Sequence, residues 1–323
     1  DLFRYPGIRS DSDMHTLGYS FKPWTQAKSI ADGPSIRDYV NETADEFDIR
    51  RHIRFDHKVQ TASWDSTQSH WVLTSNLSDG STTKISGDFL FMCGGYYSYD
   101  DPHRPEFPGE SRYQGQVLHP QFWPEDLDYE GKKVIVIGSG ATAMTIVPSM
   151  TQKGAQVTMV QRSPTYVVSR PAEDKIANTL RKWLPEKWAY AITRLKNTTL
   201  SGYFYRQTRS QPAKTKAQLL GMATANLGEE MVKAHFTPSY NPWDQRMCLI
   251  PDGDLYQSIN EGSAQVVTGD IETWTEQGLV MKDGTEVTGD IIVTATGITL
   301  TVMSGIAFDL DGTAISFPET FTY

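Results

Sequence analysis

Cysteine is nearly absent. The 323 residues hold two, Cys93 and Cys248. Two are too few for a disulfide framework, and these stand too far apart for the CxxC or CxxxxC pair of a disulfide reductase. That usage fits a reducing compartment, and a cytoplasmic location is the expectation. Long apolar runs are missing too: none approaches the ~18–20 residues of a membrane span, and no signal-peptide pattern opens the chain. An excess of positive charge is also lacking. Thirty Lys and Arg stand against 39 Asp and Glu, a formal net charge of −9. Nucleic-acid binding needs a basic face, so nucleic acid is excluded as the main partner. No metal site is expected. The chain starts at Asp1 in a loop-like run and stops at Tyr323 just after a strand-like stretch, so a fragment is expected.

What remains reads as α/β. Residues 1–35 are loop-rich. Ser35 is expected to cap a helix to about Phe47, with Ile36, Tyr39, Val40 and Ala44 at helical spacing. A β run follows at His52–Phe55, Val59–Trp64 and Trp71–Thr74, with Asp79-Gly80 as a hairpin turn. Asp88 to Gly95 reads as a buried strand ending in small residues, and the proline-bearing stretch 98–126 as a linker. Later strands are expected at Ala264–Val267, Gly278–Met281 and Gly289–Gly297, with a turn at Asp283-Gly284. Between them, residues 172–236 turn helical and carry 11 Lys and Arg against 5 Asp and Glu. A solvated helical face is the default reading of that basic segment; contact with an anionic membrane surface is a second one.

The chemistry is concentrated near residue 138. The run Lys132-Lys133-Val134-Ile135-Val136-Ile137 is a buried, parallel-type strand. It leads into Gly138-Ser139-Gly140-Ala141-Thr142-Ala143 and a helix to about Lys153. This is a dinucleotide fingerprint, GxGxxA, in its proper strand–turn–helix setting. The first glycine permits the tight turn, the second lets a pyrophosphate approach the backbone, and Ala143 is small enough for helix–strand packing. The helix N-terminus offers unpaired N–H groups to the phosphates. The next strand, Val157–Val160, ends in Gln161-Arg162-Ser163. An NAD site places an acid there for the ribose 2′-hydroxyl. Arg162 offers instead a planar donor fork for a 2′-phosphate, with Ser163 beside it, so NADP(H) is the expected cofactor.

A second motif lies upstream. Tyr113-x-Gly115-x-x-x-His119-x-x-x-Trp123-Pro124 resembles the FxGxxxHxxxWP fingerprint of the Baeyer–Villiger branch of class B flavoprotein monooxygenases, with Tyr for the first Phe. Asp1 to Tyr19, Gln161 to Tyr166 and Asn241 to Arg246 look like a mycobacterial branch of that family. The resemblance implies two dinucleotide-binding domains, an NADP Rossmann domain inserted into an FAD domain, with a helical insertion. The ranges expected are 1–126 for part of the FAD domain and linker, 127–171 and 241–296 for the NADP domain, 172–240 for the insertion, and 297–323 for the return to the FAD domain. The family's own FAD fingerprint does not occur in this sequence, so the FAD domain is expected to be incomplete.

In such enzymes NADPH reduces FAD, and a flavin C4a-peroxide formed with O2 inserts one oxygen into a ketone or oxidises sulfur. The resemblance makes Arg246 the cation beside those anions. One charge pair at ~4 Å with an effective dielectric near 20 is worth roughly 4 kcal/mol, about a thousandfold in rate. It makes Asp11 the acid that orients Arg246, and places Arg4 and Tyr5 beside the flavin with Thr296 and Gly297 at a strand-end linker. Where many relatives carry Lys before the arginine, this chain has Gln245, so Arg162 would carry more of the NADP selectivity. His119 is read as structural. The expected partners are O2 and a small ketone or thioether. Two rivals stand beside this reading: an NADP-binding remnant that cannot retain FAD, and an N-hydroxylating flavin enzyme. Substrate identity and oligomeric state are not legible.

Overall fold

Five strands pair in parallel, and the central three are buried along most of their length. The five are Gln116–Leu118, Lys133–Ile137, Gln156–Gln161, Ala264–Thr268 and Ile291–Thr294. The structure, a computed structural model, describes residues 2–245 and 247–316. Across the sheet the order is Ala264–Thr268, Gln156–Gln161, Lys133–Ile137, Ile291–Thr294, Gln116–Leu118, and every neighbouring pair is parallel. Strand order therefore reverses between Lys133–Ile137 and Ile291–Thr294. In a doubly wound sheet the crevice at such a switch point, beyond the carboxyl ends of the strands, receives the ligand.

The helix Ala141–Thr151 follows the first of these two strands. Ala143, Met144, Ile146, Val147 and Met150 are buried on it, packed with Val134, Val136, Met159 and Val293 in one apolar cluster. The opposite face of the sheet packs Ile135, Ile137, Val160 and Ile292 on Trp274, Leu279, Met281 and Val287. Those last residues belong to a three-stranded antiparallel sheet, Ile271–Trp274, Gly278–Met281 and Glu286–Thr288.

The chain divides into two compact units, Asp1–Val40 with Arg104–Gly297, and Asn41–His103 with Ile298–Tyr323. The first unit takes in residues 1–40 and 104–126 together with the five-stranded parallel sheet. Its helical part runs Lys175–Trp183, Glu186–Ser210, Pro212–Leu227 and Glu229–His235, as the 172–236 pattern expects. The N-terminal loop is tied onto this part: Ser29 N–H donates to Ala172 O at 2.8 Å, Arg194 to Thr16 O at 2.7 Å and Asn197 to Asp13 at 2.8 Å. In the second unit His57–Asp65, His70–Leu77 and Thr82–Gly87 form an antiparallel meander, with Ala307–Leu310 added in parallel to the first strand.

Four local expectations are corrected. The early helix spans Gly33–Glu46, and Asp32 rather than Ser35 caps it, its carboxylate accepting from Ser35 N–H at 2.9 Å. His52–Phe55 is not a strand; a short 3-10 turn, Arg50–His52, stands there. The run 88–95 forms no strand: Phe89 and Phe91 are 81% and 78% exposed, and no described strand pairs with it. Apolar sequence makes a strand only when a neighbour supplies its hydrogen bonds. Conversely, the expected linker contains Gln116–Leu118, a full member of the parallel sheet.

Candidate functional site

The turn after Lys133–Ile137 has a backbone only glycine tolerates. Gly138 sits at φ +135°, and a Cβ there would stand 2.3 Å from the Ala295 carbonyl oxygen, so the two strands at the switch point meet in backbone contact. Gly138 N–H donates to Val160 O at 2.8 Å. Gly140 is the N-cap of the helix and no side chain caps it. The first-turn N–H groups of Ala141, Thr142 and Ala143 therefore have no intrahelical acceptor and present a partial positive charge. An ideal Cβ on Gly140 meets nothing within 4 Å. That opening over free N–H donors is the cradle a pyrophosphate requires.

Arg162 and Ser163 follow the adjacent strand, Gln156–Gln161, and both are exposed. Their backbone is fixed on both flanks. Gly269 N–H donates to Gln161 O at 2.9 Å, and the Ser139 hydroxyl donates to Ser163 O at 3.2 Å. The Arg162 guanidinium has no hydrogen bond or ion pair among the described residues. A cation on a fixed turn, paid for by no internal anion, is available for one arriving from outside.

Gly138, Ser139, Gly140, Ala141, Thr142, Ala143, Arg162 and Ser163 thus converge at one end of the parallel sheet. The other sequence-derived candidates fall elsewhere or are already engaged. Arg4 pairs with Glu125. Burial, above all, raises the pKa of the Tyr5 phenol; the nearby Thr142 side chain opposes the effect and the charge of Asp11 adds to it. Tyr5 therefore lies near the first turn of the helix Ala141–Thr151, and the exposed Asp11 lies near it. Arg9, which sequence reasoning passed over, pairs with Asp254 in a largely buried setting. Arg246 lies outside the described residues, so its distance to Asp11 is not stated. Thr296 and Gly297 follow the strand Ile291–Thr294.

The upstream fingerprint resolves into a brace. Tyr113 donates its hydroxyl to Gly289 O at 2.8 Å and sets its ring edge-on to Trp274 at 5.7 Å. Burial first, and then Asp290, push its pKa to about 12. Gly115 is required because a Cβ would lie 2.3 Å from the Tyr113 hydroxyl. His119 Nδ1 accepts from Gln121 N–H at 3.2 Å and its Nε2 faces Gly297 O at 3.1 Å. A carbonyl only accepts, so Nε2 carries the proton and the ring is neutral, with both nitrogens engaged by backbone groups. Trp123 packs edge-on to Tyr129.

Comparison with known proteins accords with this geometry. The family described as flavin-binding monooxygenase-like (FMO-like) matches residues 29–304. The chain is 49% identical over 325 residues to the FAD-containing monooxygenase EthA of Mycolicibacterium smegmatis, covering 100% of this chain and 66% of that protein. It is 47% identical over 328 residues to the putative FAD-containing monooxygenase MymA of Mycobacterium tuberculosis H37Rv, again covering 100% and 66%. The chain therefore spans 66% of the length of these relatives. Among solved structures, an oxidised steroid monooxygenase bound to NADP superposes with a TM-score of 0.75 at 26% identity, over 94% of this chain and 65% of that one. A cyclohexanone monooxygenase with bound epsilon-caprolactone gives 0.71 at 20% identity, over 94% and 67%, a likeness of fold alone. Among the described residues no group of three or more His, Cys, Asp or Glu is placed to hold a metal, and no helix is long and apolar enough to cross a membrane.

Proposed function

The chain belongs to the flavin-binding monooxygenase-like family, and from that footing we propose that it carries the nicotinamide-nucleotide half of an FAD- and NADPH-dependent monooxygenase acting on ketones, in Baeyer–Villiger fashion, or on sulfur. The observation that carries the reading is the open Gly140 turn beside an unpaired Arg162. Both features suit NADP(H): the turn takes the pyrophosphate on backbone N–H groups, and the guanidinium takes the 2′-phosphate. When bound, NADPH supplies a hydride. The residues here hold the nucleotide, and the Gly138–Ala295 contact keeps the switch-point crevice at fixed width. Arg246 and Asp11 remain the proposed cation and its orienting acid.

FAD is proposed from the relatives that carry it in their names. Among the described residues one strand–glycine turn–helix cradle is present, and it is assigned to NADP(H), so no residue here is assigned to an FAD pyrophosphate. This single cradle favours one second reading, that the chain alone binds NADP without retaining flavin. A flavin absorbance band in the purified chain decides against that second reading. The primary test is an assay of the full-length parent with NADPH, O2 and a panel of ketones and thioethers. Ester or sulfoxide formation coupled to NADPH oxidation is expected. Equal rates with NADH, or no oxygenated product from any member, would refute the proposal.

A further inference from the structure

Arg162 acts from a turn, and something must hold that turn. The residue before it, Gln161, closes the strand and is 1% exposed. Its Nε2 donates to His235 O at 2.7 Å and to the Thr268 hydroxyl at 2.9 Å. Thr268 Oγ1 in turn lies 2.8 Å from His235 Nδ1. These three residues come from the strand Gln156–Gln161, the last residue of the helix Glu229–His235, and the last residue of the strand Ala264–Thr268.

The two bonds that Gln161 donates have a determined direction. Gln161 Nε2 spends both hydrogens, on a carbonyl and on Oγ1. Rotating the amide would set Oε1 against the His235 carbonyl, two acceptors facing each other. Thr268 Oγ1 therefore accepts from Gln161, and the direction of its hydrogen bond with His235 Nδ1 follows the ring's tautomer. Burial lowers the pKa of His235, which favours the neutral ring. The Gln161 Oε1 is left buried with no partner among the described residues. An apolar side chain of similar volume would fill the same space without an orphaned acceptor, so the amide is a cost unless it does more than pack.

We infer that Gln161, locked by Thr268 and His235, is a positioning residue that aims Arg162 and so sets the preference for a 2′-phosphorylated nucleotide. The inference rests on the NADP(H) reading above. The triangle holds the near flank of the turn through a side chain, the Gly269 N–H holds the same flank through the backbone, and Ser139 holds the far flank. It also makes the end of the helical insertion part of nucleotide selectivity, through His235.

The test is calorimetric titration of this chain with 2′,5′-ADP and with 5′-AMP, which differ only in the 2′-phosphate. Thr268→Val, close to isosteric, removes both hydroxyl hydrogen bonds, and Thr268→Ser restores them. The expected result is a fall of about tenfold in the preference of T268V for 2′,5′-ADP, with 5′-AMP affinity held within about twofold and the preference regained in T268S. A merely structural role would lower both affinities together, and that outcome overturns the inference. So does a T268V protein that keeps the wild-type preference while Arg162→Ala loses it, and in that case the NADP(H) reading survives. Wild-type protein with no preference for 2′,5′-ADP overturns the NADP(H) reading and this inference with it. Should T268V not fold, Gln161→Leu tests the same triangle with the same two ligands.

Discussion

Removing the Arg162 guanidinium is expected to separate the two halves of the proposed nucleotide site. The cradle at Gly138–Gly140 serves any dinucleotide, because pyrophosphate and backbone N–H groups are common to NADH and NADPH. On the proposed reading, Arg162 serves only the 2′-phosphate. At ~4 Å a unit charge pair is worth about 4 kcal/mol at an effective dielectric of 20 and about 1 kcal/mol in bulk water. Arg162 is exposed, so solvent screening places its contribution nearer the lower figure, about 1–3 kcal/mol, the second phosphate charge included. That range corresponds to roughly 5- to 150-fold in dissociation constant. Arg162→Ala is therefore expected to weaken NADPH by that factor and to change NADH by less than about twofold. Equilibrium binding at two ionic strengths is the assay. The Debye length is about 10 Å at 0.1 M salt and about 3 Å at 1 M, so the gap between wild type and variant should narrow in high salt. Arg162→Lys keeps the charge, loses the planar fork, and is expected to fall between the two. Equal weakening of NADPH and NADH by R162A, or no change in either, would refute the assignment of Arg162 to the 2′-phosphate.

The two glycines of the turn should fail in different ways. Gly138→Ala is expected to destabilise the fold by about 2–3 kcal/mol, from its positive φ and the Ala295 carbonyl it would strike, measured by urea denaturation. Gly140→Ala has room in the protein and is expected to cost under about 1 kcal/mol of stability, while lowering NADPH affinity at least tenfold because the added methyl occupies the phosphate's space. His119→Phe leaves Gln121 N–H and Gly297 O without their ring partner, and should cost about 2 kcal/mol of stability with nucleotide affinity unchanged. Acid should weaken the fold in two stages. Burial, the largest cause in each case, lowers the pKa of His15 and His235 below the ordinary 6.5. The unfolded chain then binds more protons than the folded one between 6.5 and those lowered values, so stability falls as pH drops through that window. Asp32 and Asp174, whose pKa values are lowered below 3.8 by hydrogen bonds that outweigh their burial, add a separate loss at lower pH. Urea midpoints across pH 4–8 should show the upper stage flattened in His15→Gln.

The elements of the proposed dinucleotide site were legible because they are contiguous. A buried strand, a GxGxxA turn and a helix lie within one run, and Gln161-Arg162-Ser163 ends the next strand. Local sequence sets each of these: apolar continuity makes the strands, the glycines permit the turn, and the helix N-terminus follows from the helix itself. The stretch 172–236 was legible as helical for the same reason, since its spacing repeats every three to four residues. The run 88–95 shows where such reading stops. Its composition is that of a buried strand, but strand formation depends on a neighbour that sequence pattern does not name. Gln116–Leu118 shows the converse, three residues among prolines that become a strand because Ile291–Thr294 offers them a parallel edge.

Sequence alone determined the nucleotide fingerprint, the arginine in place of an acid, the helical character of the insertion and the family to which the chain is similar. Tertiary structure alone decided that Gly138 touches Ala295, that His119 clasps Gly297, and that Gln161, His235 and Thr268 meet beneath the Arg162 turn. Those residues are separated by 157, 178, and 74 and 107 positions. Propensity acts over a few residues of chain, whereas hydrogen bonds and close packing act over a few ångströms of space, and only folding makes the two distances coincide.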